Sequence, residues 1–397
     1  MVKTADIYDA YFETRRNKRR SEDSVLYEMH FERNLIDLEE AISSKTVQPT
    51  AYTFIAPRPK PREVFACNLG LRVIHHYIDI RLRPLMEAEL TDRTFNNRIG
   101  YGPDVAVNTL LSDIYDVTEG FTKEAWVVSA DLAGYFPNAN QDVVYEQLRD
   151  LAERGYDGDD KDDLLYLIQV SVFSYPTHHC YRKSPLHKWE DIPAEKSLFS
   201  KPDGIGGAIG YLNWQNAMNY YLNDFDKFVL EYCCPHYLRF VDDMRWVTDN
   251  KEALLAMFPL FRKMLAEKGC AMNEHKFSCQ QATKGGVFIG KAYHARRVYP
   301  SRRIVRNCHQ TIRRFNRCPR EGRVQAFVSS MNSYFGIFKN CNGYNIIKDC
   351  LREICGDWFR FVHFDEHRLC LNANAGYTVG EMALRHLLKH NEYERLY

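Results

Sequence analysis

Two adjacent carboxylates, Asp242 and Asp243, interrupt an apolar run over residues 237–247. The pattern reads as strand, acidic tip, strand. A third carboxylate, Asp131, ends the apolar stretch 127–130 and precedes a turn with two aromatics, Tyr135 and Phe136. Carboxylate oxygens suit a hard divalent cation, Mg²⁺ or Mn²⁺ in its place. Nucleotidyl transfer uses two such ions roughly 3.5–4 Å apart, one at the attacking 3′-hydroxyl and one at the leaving pyrophosphate. One aspartate alone reads as a turn residue or cap. Three in this order and setting read as a metal set. Asp131 and Asp242 are the first-choice ligands, Asp243 is less direct, and Leu132 beside Asp131 is counted with them.

Other residues suit the handling of a nucleotide. Phe136 is placed to stack under an incoming sugar and exclude a 2′-hydroxyl. Tyr135 stands beside it, with core packing as its alternative. Gly204, Gly206, Gly207 and Gly210 form a glycine-rich approach to a helix that carries Gln215. Glycines let backbone come close to a base pair, so Gly210 and Gln215 are candidates there; a plain linker is the alternative. Lys60 and Arg62 stand on a loop stiffened by Pro57, Pro59 and Pro61 and suit a triphosphate. Lys276 suits the leaving group. For each cation a solvent-facing role competes. Residues 296–323 hold ten arginines and one acid, Glu321. Arg296, Arg297, Arg302, Arg303, Arg306, Arg313 and Arg314 are candidates for nucleic-acid contact, since clustered arginines neutralise phosphates. The cluster around Arg15, Lys18 and Arg20 is a weaker one.

The elements that must position these groups alternate. A strand ends at Asp131, helices start near Gln141 and Asn213, a hairpin carries Asp242, and a helix covers 251–269. That order predicts a split βαβ antiparallel sheet backed by helices. Residues 52–66 read as extended, and 72–90 as helical. Residues 150–163 read as an acidic surface segment, 176–203 as a long connection without clean period, and the chain after 300 as mainly helical. The chain has 397 residues, enough for two or three domains. The expected divisions are an N-terminal helical extension (1–50), a second segment (51–125), a sheet domain (126–295, with an insertion near 150–203) and a helical C-terminal region (296–397).

A net charge of +1 decides nothing about partners by itself. No apolar window is long enough to span a membrane, and the N-terminus has no signal core. Cytoplasmic location with reduced thiols is the expectation for the twelve cysteines. His178, His179, Cys180 and His187 lack the second spaced pair of a usual zinc site. Cys233, Cys234, Cys350 and Cys355 read as buried thiols, and His75 and His76 as part of a helix face.

Taken in order, these motifs resemble the reverse transcriptases of bacterial retroelements and their domesticated relatives, over roughly residues 50–360. Lys60, Pro61, Arg62 and Glu63 look like the fingers motif, and 72–78 like the helix after it. Asn97, Gly100 and Gly102 match a glycine-rich finger segment. Asp131 to Phe136 looks like the first catalytic motif, Phe240 to Asp243 like the aromatic-x-Asp-Asp box, and Phe288, Ile289 and Gly290 like the primer-gripping turn. Lys196 to Phe199, Gly210 with Gln215, and Asn332 to Gly336 are similar to the subset with diversity-generating retroelements and defence-associated "unknown group" enzymes. Two residues depart from the pattern: Trp214 replaces a serine, and Phe240 a tyrosine.

The resemblance implies an α+β right hand of fingers, palm and helical thumb. It implies an RNA-directed DNA polymerase acting in antiphage defence. Its partners would be dNTPs, a DNA product, a structured noncoding RNA, and a second copy, second reverse transcriptase or effector protein. Mutagenic copying in a diversity-generating retroelement, protein-primed or untemplated synthesis, and a catalytically idle RNA scaffold stay open as alternatives.

Overall fold

The computed structural model describes residues 1–16, 22–57 and 60–377. Lys18, Arg20, Arg58, Pro59 and the chain after 377 lie outside the described residues. The chain begins with helices α1 (Thr4–Arg15), α2 (Glu22–Glu28) and α3 (Phe31–Ser43). Strands β1 (Ala51–Ala56) and β2 (Arg62–Cys67) follow, then α4 (Leu69–Glu89), α5 (Pro103–Val117) and β3 (Trp126–Asp131). Next come α6 (Gln141–Gly155), α7 (Lys161–Val172), α8 (Pro176–His179) and β4 (Cys180–Arg182). After α9 (Leu212–Tyr221) and α10 (Asn223–Tyr232) lie β5 (Tyr237–Phe240), β6 (Asp243–Thr248), α11 (Lys251–Ala256) and α12 (Phe258–Glu267). The remainder is β7 (Ser278–Gln281), β8 (Gly286–Phe288), β9 (Lys291–His294), β10 (Arg297–Pro300), α13 (Arg302–Asn316), α14 (Val324–Lys339), α15 (Tyr344–Glu353), β11 (Val362–Asp365) and β12 (Cys370–Ala373). The expected mixture of helix and strand is present.

The chain divides into two compact units, 1–106 with 126–280, and 107–125 with 281–397. Residues 107–125 and 281–295 therefore group with the C-terminal part, not with the segments the sequence suggested.

In the first unit a four-stranded sheet runs β5-β6-β3-β7. Its two central strands, β3 and β6, carry Val and Trp, which fit a pleated half-buried surface. Val128, Ala130, Met244 and Trp246 share one face through the β3–β6 register, and all are essentially inaccessible. Trp246 packs on Phe258 and Phe261 of α12, at ring distances of 5.3 and 6.0 Å. Truncating such a tryptophan to alanine costs about 3–5 kcal/mol.

A second sheet runs β2-β1-β4. The 176–203 connection thus supplies a third strand, parallel to β1 with Tyr52 opposite Tyr181. Buried Glu63 on β2 fastens it, accepting from Trp189 Nε1 (2.7 Å), Ser197 Oγ (3.0 Å) and the Leu198 N–H (2.8 Å). The 150–163 segment is less exposed than its acidity suggests. Asp160 accepts from Arg81 Nε and Tyr156 Oη, each at 2.6 Å, and Asp163 from Lys45 Nζ at 2.6 Å. The helix expected from near Asn213 ends at Tyr221 and a second follows Leu222, and the one expected over 251–269 is broken at Met257 before Pro259.

In the second unit β10-β9-β8 form a meander. The β8–β9 turn at Ile289 and Gly290 is a tight one, with φ of 49° and 76°. Helices α13, α14 and α15 surround Phe315, Phe327 and Trp358, the last two stacked at 4.2 Å. The β11–β12 hairpin interrupts the expected helical run.

Candidate metal and nucleotide site

The acidic tip is a two-residue hairpin turn. Phe240 pairs with Asp243, leaving Val241 and Asp242 as the connection. Asp243 also pairs with Asp131 on β3. Directly opposed residues of an antiparallel pair point to the same face, their Cβ atoms about 4.5–5.5 Å apart, and like charges there repel. Asp242 joins through its backbone, accepting from the Leu132 N–H at 3.1 Å. The chain beyond β3 is fixed by Ala133 N–H to Ala271 C=O (2.8 Å) and Asn273 N–H to Asp131 C=O (2.7 Å). That second bond sits at the start of the turn carrying Lys276.

The electrostatics follow from this crowding. Burial, then the Asp131 and Asp243 charges, push the Asp242 carboxyl up to about 6. Burial raises Asp243 as well, opposed by Arg245, whose Nη1 stands 3.9 Å from Asp243. Lys276 Nζ donates to Asp131 Oδ2 at 2.6 Å. Asp131 is buried, whereas half of the Lys276 side chain is exposed (52%). Among the described residues no three His, Cys, Asp or Glu side chains converge as a preformed metal cage. The donor set still fits Mg²⁺. It consists of hard oxygens short of positive charge, and Mg²⁺ takes only one or two carboxylates while keeping waters and phosphate oxygens.

The other candidates fall in several places. The Leu132 side chain is buried, so only its carbonyl is left to serve a cation. Tyr135 is buried, and its hydroxyl donates to the Met218 carbonyl at 2.5 Å. It therefore occupies a core position, the alternative named for it, and no nucleotide-facing one. Phe136 lies half-buried beside it. The Phe136 carbonyl accepts from the Gly207 N–H at 2.8 Å, which docks the glycine-rich loop on the aspartate turn. Gly210, at φ 112°, lies against the Phe65 backbone of β2, where any side chain would collide. Its glycine is thus explained by strand contact; the residue itself stays exposed. Gln215 is half-buried one turn into α9. Trp214 is buried with its ring where a Gly207 side chain would stand, so the departing residue is a core wedge.

Lys60 and Arg62 are exposed at the start of β2. In the second unit, Arg302, Arg303, Arg306, Arg313, Arg314 and Arg317 are exposed, while Cys308, Thr311, Ile312 and Phe315 are buried. Positions 302, 306, 313 and 317 fall on one helical face about 22 Å long at 1.5 Å per residue. Arg313 also pairs with Glu353 at 2.8 Å. Arg296 stacks on Tyr115 at 4.0 Å, and Arg297 is exposed. His178 pairs with Asp203 at 2.9 Å, and all twelve cysteines are free. His75 is buried, which holds its imidazole down at about 3.

Arg239, Asp226 and Arg245, which no sequence motif singles out, brace the acidic hairpin. The available signal was a charge at an inward position of an otherwise apolar strand, as at Arg239.

No protein-family model matches the chain, and no curated protein is similar to it. Solved structures are. Apo telomerase from Candida tropicalis, truncated from its C-terminal domain, is 12% identical with a TM-score of 0.47, over 67% of this chain and 59% of that one. Apo telomerase from Candida tropicalis gives 11% and 0.46, over 77% and 59%. Telomerase from Candida albicans in complex with a fragment of telomeric RNA gives 11% and 0.47, over 83% and 59%. This chain therefore spans 59% of the length of each of these neighbours.

Proposed function

We propose that the chain is an RNA-directed DNA polymerase whose reaction centre is the acidic end of the β5-β6-β3-β7 sheet. The observation that carries this reading is Asp131 in direct register with Asp243, beside Asp242 at the hairpin tip. Three carboxylates crowd here against two cations, Lys276 and Arg245, and the remaining repulsion points to a further cation supplied from outside. On this reading the four-stranded sheet is the palm, the β2-β1-β4 sheet belongs to the fingers, and α13–α15 form the thumb.

Asp131 and Asp243 share one face of the sheet, with Asp242 at the tip beside them. Mg²⁺ bound there supplies the positive charge that favours ionisation of a primer 3′-hydroxyl and steadies departing pyrophosphate. Lys276, released from Asp131, swings towards the β- and γ-phosphates. Lys60 and Arg62 hold the triphosphate, and Phe136 screens the sugar. Gly210 and Gln215 face the nascent pair. The α13 arginines track phosphates. Arg302 and Arg303 stand in the first turn of the helix, which holds no acid, and cations there oppose the helix dipole. A phosphate backbone removes that penalty.

The biological role proposed is antiphage defence with a structured noncoding RNA. It rests on the motifs at 196–199, 210–215 and 332–336. The test is extension of a DNA primer on an RNA template supplied with one dNTP at a time. Incorporation that follows the template base supports the reading. Base-independent addition supports untemplated synthesis, and none at all leaves the RNA scaffold. A plaque assay with wild type and Asp242→Ala then separates defence from a diversity-generating role.

A further inference from the structure

The acidic turn depends on a residue that faces away from it. Val241 has φ of 60°, a left-handed conformation that is an outlier for a β-branched side chain. Such a residue persists only where its surroundings over-determine it. The surroundings here are Arg239. It lies opposite Met244 in the β5–β6 register, whereas Phe240 lies opposite Asp243. Its side chain therefore leaves the sheet on the face away from the carboxylates, where it is wholly buried.

Every arm of the guanidinium is used. Nε and Nη2 donate to Asp226, at 3.0 and 2.6 Å. Nη2 also donates to the Asn219 carbonyl at 2.8 Å, and Nη1 to the Val241 carbonyl at 3.1 Å. Asp226 is fixed in turn by Tyr237 Oη (2.8 Å) and Thr94 Oγ1 (3.2 Å). The Arg239 backbone is held as well, donating to the Arg93 carbonyl at 2.9 Å and accepting from the Phe95 N–H at 3.1 Å. The guanidinium is thus fixed by α9, α10 and the 93–95 segment before it reaches the turn.

We infer that Arg239 is a positioning residue, which clamps the Val241 carbonyl from behind and so sets the direction in which Asp242 and Asp243 project. The clamp itself is independent of any reaction; its consequence for catalysis rests on the polymerase reading above. Arg239→Lys keeps a cation for Asp226 but has one head group, which cannot hold both Asp226 and Val241. Deuterium exchange of the 240–244 amides should rise at least tenfold. Primer extension should lose at least tenfold in kcat, with the KM for dNTP within twofold. Adding Val241→Gly removes the need for the clamp, since glycine adopts positive φ without strain. Both readouts should then return to within threefold of Val241→Gly alone.

The pair Asp226→Asn with Arg239→Met removes both charges without leaving one buried alone. It should behave as Arg239→Lys does, rescue included. A merely structural Arg239 predicts faster exchange across β5 and α10 alike and no rescue by Val241→Gly. That result, or unchanged exchange at 240–244, overturns the inference. If wild type extends no primer, the polymerase reading fails while exchange still decides the clamp.

Discussion

Asp226 and Asp242 lie on either side of one hairpin and are handled in opposite ways. Asp226 has no solvent exposure, yet Arg239, Tyr237 and Thr94 fill its oxygens. Asp242 is only half-buried, yet it has two carboxylates for neighbours, and its carboxyl is pushed up to about 6. Burial alone therefore does not mark function. What separates the two is whether the fold supplies the compensating charge or leaves it to something that binds.

The first way to break this comparison is to remove the uncompensated charge. Asp242→Ala should lower metal-dependent primer extension by about a thousandfold or more, roughly 4 kcal/mol of transition-state stabilisation, with the fold intact by circular dichroism. Removing the compensated one should do the reverse. Asp226→Ala leaves Arg239 buried without its partner and should cost about 3–5 kcal/mol of stability in urea denaturation.

The contrast extends to the opposite sign on α13. Replacing Arg302 and Arg306 by Gln should weaken RNA–DNA binding and reduce the slope of log K against log salt by about 2. It should raise the melting temperature of the free chain slightly, since a cation opposing the helix dipole at Arg302 is removed.

The smallest effect is one of pH. Asp242 has a higher pKa folded than unfolded, where about 3.9 is usual. Its contribution to stability is present below pH 4 and lost as pH rises through about 6. Metal-free Asp242→Asn should therefore melt above wild type at pH 7.5, and the gap should close at pH 4.

The acidic residues were legible because short apolar runs around them announce strands, and carboxylates at strand ends are conspicuous. The helix at 72–90 and the start of a helix near Gln141 were legible, although the end of that helix falls inside the segment read as acidic surface. Other features depend on tertiary register. Nothing local in Cys180 to Arg182 announces a strand, since its partner β1 lies far upstream in the chain. Tyr135 reads as a ligand or as core until Met218 is seen to receive its hydroxyl. Gly210 is conspicuous in sequence, but its reason is the β2 backbone against it. Arg239 was missed because inward strand charges are unusual, and its partner Asp226 belongs to a different element.

The central claim is that residues 131, 242 and 243 together receive a divalent cation. Mn²⁺ titration followed by electron paramagnetic resonance, with dNTP present, tests it most directly. The expected result is saturable binding to wild type that is lost in Asp242→Asn and weakened in Asp243→Asn. Binding of the same stoichiometry and affinity in wild type and Asp242→Asn would contradict it.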